Sequence, residues 1–366
     1  MKNKPKVFID TYYYKAAPAG IRTYIKELVN SALIHGSSNY IISHDLNKSS
    51  SNLKFLNSKS RAIRWLFQFK YLLWKQVFLS IKLKKCGADI LICPDYVLPF
   101  WKLKAKKIVI IHDSLFWDYP LNYSNLWRKY YLKLIKLGIN DSTIIATTSN
   151  YSKNNLKRIF PNINISVVYQ SFEKLNKVLN PRKLDNKKLL LHVGSFEKRK
   201  NILFLVRAFK EFKKNIINKD FKLVLAGTTN FFGNTEEYNR IINFLDENNL
   251  NEEVIIPGYL SDSEIIKLYN QSMLYVFPSV EEGFGIPVLE SFNYGLPVIC
   301  SNIKVFQEIG SDAVLQFDIN DIKDLSLKIE SLANNKNLRE KLINKGFERV
   351  KLFSRLNFIK SMEELF

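Results

Sequence analysis

The clearest chemical pattern in the sequence is a pair of glutamates around a glycine-flanked turn. Glu282 directly precedes Gly283, Phe284 and Gly285, and Glu290 follows with seven residues between the two acids. Glycines let a backbone approach a ligand and present N–H groups just before a helix, which favours phosphate binding. We expect both carboxylates beside that phosphate, where they can bind sugar or ribose hydroxyls. A simple crossover turn with solvated acids fits the same composition, so both interpretations stay open on composition alone.

These side chains need a strand, a turn and a helix to position them, and the whole chain repeats that pattern. Short Val/Ile/Leu-rich runs alternate with helical patterns, which predicts an α/β protein with doubly wound parallel sheets covered on both faces. The polar stretch 171–187 interrupts the alternation and reads as a linker. We therefore predict Rossmann-like domains over residues 1–175 and 185–345, and a helical tail over 346–366 that packs back on the first domain.

Length and cysteine content limit the class of protein. A chain of 366 residues suits two domains, and its three cysteines form no CxxC pair, which favours a reducing compartment. The N-terminus has basic residues but no apolar signal-peptide region, and no stretch is long and apolar enough to span a membrane. We expect a cytoplasmic protein that is soluble or peripheral to the membrane.

The positive charge is concentrated in the first half of the chain. Residues 1–180 hold 29 Lys and Arg against 9 Asp and Glu, whereas the remainder holds 26 against 25. Such asymmetry predicts that the first half faces an anionic partner, either a membrane surface or nucleic acid.

Several segments resemble glycosyltransferase family 4 and occur in that family's order. They are DTYYYKAAPAGIRTY at 10–24, IIHDSLFWDY at 110–119, ATTSNYSKN at 146–154, HVGSFEKRKNIL at 192–203, PGYLSDSEIIKLY at 257–269 and EGFGIPVLESFNYGLPVICSN at 282–302. The resemblance covers nearly the whole chain. Within the family, the chain resembles bacterial mannosyl- and rhamnosyl-type transferases of polysaccharide assembly. It implies the GT-B fold, in which two Rossmann-like domains face a central cleft, and transfer from a nucleotide-sugar donor with retention of configuration.

The resemblance also implies which residues contact the sugar. Glu282, with the backbone of 283–285, should hold the transferred sugar, and His112 should lie next to the anomeric carbon. Both are therefore candidate catalytic residues. A strand-end histidine in a purely structural role is the alternative for His112, although the adjacent Asp113 and the strand-end position favour the site.

The remaining donor-binding roles follow from the same resemblance. Lys200, with Arg199 beside it, should neutralise the diphosphate, and Glu290 should bind the ribose hydroxyls. Gly258 and Tyr259 should lie against the base. Gly20, from the other domain, should close on the phosphates or the acceptor.

One position departs from the family pattern. Many members carry an arginine five residues before the phosphate-binding lysine, where this chain has Ser195. The missing charge is then supplied by Arg199 or Arg22, or the diphosphate is held less tightly. A small residue here is associated with mannose, rhamnose or fucose transfer, which is a hint toward GDP-mannose as donor over a UDP-sugar.

We expect neither a metal nor a cofactor. The chain contains no Asp-x-Asp motif, and the leaving phosphate needs fixed positive charge that protein cations can supply. The nucleotide sugar is then a substrate.

A basic and aromatic segment at 61–85 holds seven Lys and Arg and no acid. Arg61, Arg64, Lys75 and Lys82 fall on one side of a helical wheel, which predicts a membrane- or acceptor-facing basic stripe on an interfacial helix. A buried helix with one solvated stripe fits the segment nearly as well. The expected partners are a saccharide acceptor, lipid-linked at the inner face of the cytoplasmic membrane, and the anionic membrane surface itself.

Two other functions share these features. A noncatalytic polyanion binder would use the basic half, but no nucleic-acid-binding module is recognisable and we expect no nucleic-acid partner. A nucleotide-sugar epimerase would share the fold and turn over the donor without an acceptor. A glycosidase also uses paired carboxylates, but it does not need nucleotide-binding loops.

Overall fold

The computed structural model describes residues 4–47, 61–120, 123–172, 188–230 and 235–366, without the side chains of Arg61, Ala62 and Arg64. The chain divides into two compact units, one of residues 1–173 with 353–366 and the other of residues 174–352. Most of the stretch interpreted as a linker lies outside the described residues.

The first unit is a six-stranded parallel sheet with helices on its faces. Its strands are β1 (Lys6–Ile9), β2 (Asn39–Ile42), β3 (Ile90–Cys93), β4 (Lys106–Ile110), β5 (Ile144–Thr147) and β6 (Asn164–Val167), in the order β2-β1-β3-β4-β5-β6. Its helices up to residue 159 are α1 (Ala19–His35), α2 (Arg61–Leu73), a π-helical turn (Trp74–Phe78), α3 (Leu79–Cys86), α4 (Leu115–Asp118), α5 (Asn125–Gly138) and α6 (Asn150–Ile159).

The second unit repeats the architecture. Its strands are β7 (Leu189–Val193), β8 (Lys222–Ala226), β9 (Val254–Gly258), β10 (Leu274–Phe277), β11 (Val298–Ser301) and β12 (Val314–Phe317), in the order β12-β11-β10-β7-β8-β9. Its helices are α7 (Ile202–Phe212), α8 (Glu236–Glu247), α9 (Asp262–Gln271), α10 (Ile286–Asn293), α11 (Lys304–Gly310), α12 (Ile322–Asn334) and α13 (Lys336–Val350).

All strand pairs in both sheets are parallel, as the alternation of apolar runs and helices predicts. Central strands such as Ile90–Cys93 and Leu274–Phe277 are buried along their whole length because helices cover both faces. The doubly wound α/β fold class is confirmed. Each sheet reverses its strand order beside its first strand, which is where ligands bind in such sheets.

The last helix, α14 (Arg355–Glu363), belongs to the first unit. It packs on α1, where the Arg355 guanidinium bonds the Glu27 carboxylate at 2.8 Å. The predicted tail began at residue 346, but residues 346–350 continue α13 in the second unit. The segment that joins the first unit starts at Phe353.

Candidate functional site

The glycine-flanked turn connects β10 to α10. Gly285 precedes the first residue of α10 with φ +104°, a conformation that side chains rarely adopt, and a Cβ there would lie 2.9 Å from the Phe306 ring. Pro287 follows in the first turn of α10, which contains no acidic residue. The turn therefore places the N-terminus of α10 close after Glu282 in the chain.

Two cations from a second loop converge on Glu282. The Lys200 ammonium lies 2.6 Å from its Oε1 atom, and Arg199 Nη1 lies 2.9 Å from the same atom. The Val280 N–H also donates to the Arg199 carbonyl at 2.9 Å, which fastens the two loops together. The structure thus brings together three residues that the sequence placed in one site.

Electrostatics keep this carboxylate ionised. Burial alone would raise the pKa of Glu282, but the adjacent charges of Arg199 and Lys200 outweigh it and hold the pKa at about 2. Burial lowers the pKa of Lys200, and Glu282 counteracts that effect. A buried lysine and a partly exposed arginine that share one carboxylate can receive an additional anion. A general acid or base needs a pKa near the working pH. Because the pKa of Glu282 lies far below that, Glu282 stays ionised near neutral pH and does not serve in this role.

The serine that departs from the family pattern has a defined role. The Ser195 hydroxyl donates to the Glu197 carboxylate, whose other oxygen accepts a bond from Arg199 Nε at 3.0 Å. Arg199 is therefore held from one side by Glu197 and from the other by Glu282. Arg22 instead donates to the Ala17 carbonyl at 3.0 Å within the first unit. These contacts favour Arg199 as the second cation of this site.

Glu290 lies on α10 and accepts a hydrogen bond from the Tyr269 hydroxyl at 2.9 Å. Tyr275 on β10 stacks on Tyr269 at 5.9 Å. Burial raises the pKa of Tyr275, and the charges of Glu290 and Glu282 raise it further. Both carboxylates therefore lie near one tyrosine, as expected for acids that share a site.

Sequence reasoning missed the aromatic layer beneath these acids. His192 on β7 stacks on Tyr275 and its Nδ1 lies 3.0 Å from the Val276 carbonyl. Its Nε2 is buried without a hydrogen-bond partner among the described residues. Burial lowers the pKa of His192 to about 4. Buried aromatic residues on strands are indistinguishable from core residues in a sequence, so only the letters HVG hinted at this position.

The predicted base-binding pair lies at the end of β9. Gly258 ends the strand, and its carbonyl accepts a bond from the Gly227 N–H at 2.9 Å. Tyr259 follows and is 79% exposed. An exposed aromatic ring at the carboxyl end of a strand is available for stacking.

In the first unit, His112 follows β4 and is held by its neighbours. Its Nε2 lies 3.0 Å from the Pro94 carbonyl, so Nε2 carries the proton and Nδ1 remains an acceptor. Burial lowers the pKa of His112 to about 4, so the ring is neutral near pH 7. The Tyr24 ring packs edge-on against it at 4.6 Å.

Gly20 lies in the first turn of α1, one residue after its start and not in a preceding loop. A Cβ at Gly20 would meet no atom within 4 Å. No side chain caps the N-terminus of α1, and its first turn carries no acid. This helix start therefore offers backbone N–H groups on an open surface.

Lys75 is not part of a basic surface stripe, which is a correction to the sequence prediction. Its ammonium is fully buried, 2.7 Å from Asp10 and 2.6 Å from Asp95. Burial opposes the charge, but the two carboxylates hold the pKa of Lys75 above its ordinary value. The helical wheel placed Lys75 on the solvent side of the helix. Asp10 and Asp95, which follow the neighbouring strands β1 and β3, instead stabilise its charge in the interior.

The other three members of the stripe have different outcomes. The side chains of Arg61 and Arg64 lie outside the described residues. Lys82 is exposed, with its ammonium 5.0 Å from the Trp74 ring and 3.4 Å from the Ser43 carbonyl. The contiguous stripe is therefore not formed as predicted.

Within the described part of the chain, one cluster has metal-ligand geometry: Asp10, Cys93 and Asp95. The Lys75 ammonium bridges both of its carboxylates. A cation of the protein itself thus neutralises these acids.

Comparisons with known proteins define the class. Residues 176–349 match the family model for glycosyl transferases group 1. O-antigen chain mannosyltransferase B of Escherichia coli is 26% identical over 272 residues, which cover 71% of this chain and 69% of that protein. O-antigen chain mannosyltransferase RfbU of Salmonella typhimurium is 25% identical over 285 residues, which cover 77% and 74%.

The fold has solved counterparts as well. Sucrose-phosphate synthase from Thermosynechococcus elongatus superposes with a TM-score of 0.76 at 19% identity, covering 99% of this chain and 98% of that one. The fold and the relatives define a glycosyltransferase with the GT-B architecture. Within that class, residues 176–349 match the group 1 glycosyl transferases, and the chain is similar to family 4. None of the helices in the described residues is long and apolar enough to cross a membrane.

Proposed function

We propose that this glycosyltransferase transfers a hexose, with retention of configuration, from a nucleoside-diphosphate sugar to a saccharide acceptor in cell-surface polysaccharide biosynthesis. GDP-mannose is the first candidate donor and a UDP-sugar the second. The mannosyltransferase names of the O-antigen relatives and the small residue at Ser195 support this order. The acceptor is proposed to be lipid-linked, at the inner face of the cytoplasmic membrane.

The observation that carries the proposal is the Lys200–Glu282–Arg199 cluster at the start of α10. A departing nucleoside diphosphate gains negative charge, and two fixed cations beside a helix N-terminus stabilise that charge. Glu282 keeps the cations in place and accepts hydrogen bonds from sugar hydroxyls. Its low pKa makes it unsuited to donate a proton to the leaving group, which disfavours a glycosidase mechanism.

Retention is proposed to follow from attack on the face that the phosphate leaves, with the phosphate accepting the acceptor's proton. No protein carboxylate then has to form a covalent bond. In this mechanism, His112 is neutral and its Nδ1 accepts a hydrogen bond from a sugar hydroxyl. Glu290, held by the Tyr269 hydroxyl, binds the ribose, and Gly258 and Tyr259 lie against the base.

The protein cations are proposed to replace a divalent metal at the diphosphate. Transfer should therefore persist in EDTA, because Lys200 and Arg199 already supply the positive charge. The measurement is the initial rate with and without chelator. Complete loss that Mg²⁺ or Mn²⁺ restores would contradict the assignment.

A donor screen tests the proposal as a whole. Thermal shift with GDP-mannose, UDP-glucose, ADP-glucose and dTDP-rhamnose should give the largest rise in Tm with the true donor, since a ligand stabilises the state that binds it. That donor is then incubated with and without a saccharide acceptor. Transfer only with the acceptor supports a transferase, whereas sugar interconversion by donor alone identifies an epimerase.

A further inference from the structure

The helical segment 61–86 carries an apolar ridge that faces solvent. Large apolar side chains recur at every fourth position and are between 37% and 58% exposed. The ridge consists of Trp65, Phe69, Leu73, Val77 and Ile81, with Leu66 and Phe78 beside it. Contiguous exposed apolar surface on a protein that carries charged residues elsewhere marks an interaction site.

The opposite side of the same segment is anchored, which fixes the direction of the ridge. Its buried positions also recur every four residues, at Phe67, Tyr71, Lys75, Leu79 and Leu83. Lys75 forms two ion pairs below the helix, and the Tyr71 hydroxyl donates to Asp95 at 2.9 Å. The helix cannot roll to bury the ridge without breaking these buried ion pairs.

The surroundings of the ridge are basic. Lys70, Lys82, Lys84 and Lys85 are exposed on the same segment, and residues 61–85 contain no acid. Helix α5 lies beside it through a Trp65–Tyr130 ring contact at 6.0 Å. That helix adds three exposed lysines and two exposed leucines: Leu126, Lys129, Lys133, Lys136 and Leu137.

These charges select among the occupants that an apolar ridge can have. A symmetric contact with a second copy would place lysines opposite lysines, with no acid in residues 61–85 to pair with them. Nucleic acid is a poor fit, because the centre of the surface offers few polar groups for hydrogen bonds and several aliphatic side chains that do not stack on bases. An anionic bilayer satisfies both features, since acyl chains accept the apolar side chains and headgroups neutralise the lysines.

We propose that this ridge inserts into an anionic lipid bilayer, with the lysines of α2, α3 and α5 at the headgroups. The proposal rests on the membrane-associated acceptor of the proposed function and names the surface that reaches it. It replaces the basic stripe expected from the sequence, because Lys75 is buried. Insertion of apolar side chains predicts binding that salt weakens but does not abolish.

The test measures co-sedimentation with phosphatidylglycerol-rich and pure phosphatidylcholine vesicles at low and high salt. The ridge variant is Phe69→Ser, Val77→Ser and Ile81→Ser. A charge variant is Lys84→Gln with Lys85→Gln, at two exposed positions. The matched control removes three exposed apolar side chains from the second unit: Ile216→Ser, Ile217→Ser and Leu327→Ser. Thermal unfolding verifies that each variant folds.

We expect the wild type and the control to bind phosphatidylglycerol-rich vesicles and to keep part of that binding at high salt. The ridge variant should bind at least about tenfold more weakly at both salt concentrations. The charge variant should lose mainly the salt-sensitive part. Equal binding of the wild type and the ridge variant would overturn the proposal. So would a wild type that self-associates or binds RNA through the ridge and ignores vesicles.

Donor binding in vesicle-free solution separates the two proposals. A ridge variant with wild-type thermal shift by the nucleotide sugar and weakened vesicle binding supports both. A wild type that binds donor and ignores vesicles overturns the docking surface alone. A wild type that binds vesicles and no nucleotide sugar overturns the proposed function alone.

Discussion

At the scale of single residues, Glu282 and Glu290 have different surroundings, so substitution of each should change the kinetics in a different way. Glu282 is shared by two cations, whereas Glu290 is bonded to a tyrosine hydroxyl. The first arrangement suits charge development at the reacting bond, and the second suits binding of a neutral ribose. Their substitutions therefore provide a direct test of the site assignment.

We predict that Glu282→Gln lowers kcat by about tenfold or more, because a charge-assisted hydrogen bond is worth about 1.5–3 kcal/mol. Glu290→Ala should mainly raise the KM for the donor. Steady-state kinetics at varied donor concentration measure both, with Glu281→Gln as a control at the neighbouring acid. Wild-type kinetics in both variants would remove the two acids from the site.

Lys75 has a structural role that its sequence context concealed. Lys75→Met should lower the free energy of unfolding by about 3–5 kcal/mol, because it leaves the buried carboxylates of Asp10 and Asp95 without a counter-charge. Lys84→Met, at an exposed position, should change stability by no more than about 0.5 kcal/mol. Chemical denaturation compares the two, and equal effects would contradict the buried role.

At the scale of elements, two short strands at sheet edges carry the weakest sequence signal. β2 and β12 are terminal strands of their sheets, and each has partly exposed positions. Their sequences, NYII and VLQF, lack the continuous apolar run that burial on both faces produces. The continuous apolar run that marks β3 and β10 is therefore absent from these two strands.

The sequence likewise predicts only part of the candidate site: its loop residues but not its buried strand residues. Glu282, Lys200 and Arg199 were found because loop residues between strand and helix signals stand out by type. Tyr275 and His192 were missed because buried residues on strands look like core. Lys75 was misplaced because its partners lie on two separate strands, which no local pattern reveals.

The start of α1 offers a prediction about an element. Gly20→Ala should raise the free energy of unfolding by about 0.5–1 kcal/mol, since it replaces glycine within a helix and the new methyl group meets nothing. If a substrate approaches the backbone there, the same variant should transfer sugar more slowly. Unfolding and transfer are measured on one preparation. Increased stability with unchanged transfer would remove Gly20 from the substrate-binding positions.

At the scale of the whole molecule, each unit contains a histidine at its sheet that burial keeps neutral near pH 7. Burial lowers the pKa of both His112 and His192 to about 4, below the ordinary value of 6.5. In the unfolded chain each takes up a proton as the pH falls below about 6.5, whereas in the folded chain this occurs only below about 4. Their contribution to stability is therefore complete above pH 6.5 and is lost as the pH falls toward 4.

We predict that the free energy of unfolding decreases from about pH 7 to about pH 5, by up to about 1.4 kcal/mol per pH unit for each histidine. His192→Gln should remove the contribution of His192 and leave a shallower dependence. Denaturation at several pH values measures the slope, and the comparison cancels every other titrating group. Identical slopes in the two proteins would contradict the assignment to His192.

The π-helical turn at Trp74–Phe78 lies between α2 and α3. The number of residues in this segment therefore determines, as much as their types do, which side chains face the core and which face solvent. Four residues of α-helix sweep about 40° more than a full turn, so side chains spaced by four drift around the axis. The wider π turn compensates for that drift, and both the buried and the exposed series keep their sides from Trp65 to Leu83. Deleting one residue from the middle of α2, where no wider turn can absorb the change, would rotate the residues before it by about 100° relative to those after it. Such a deletion would divide the apolar ridge in two, although every other residue of the segment would be unchanged.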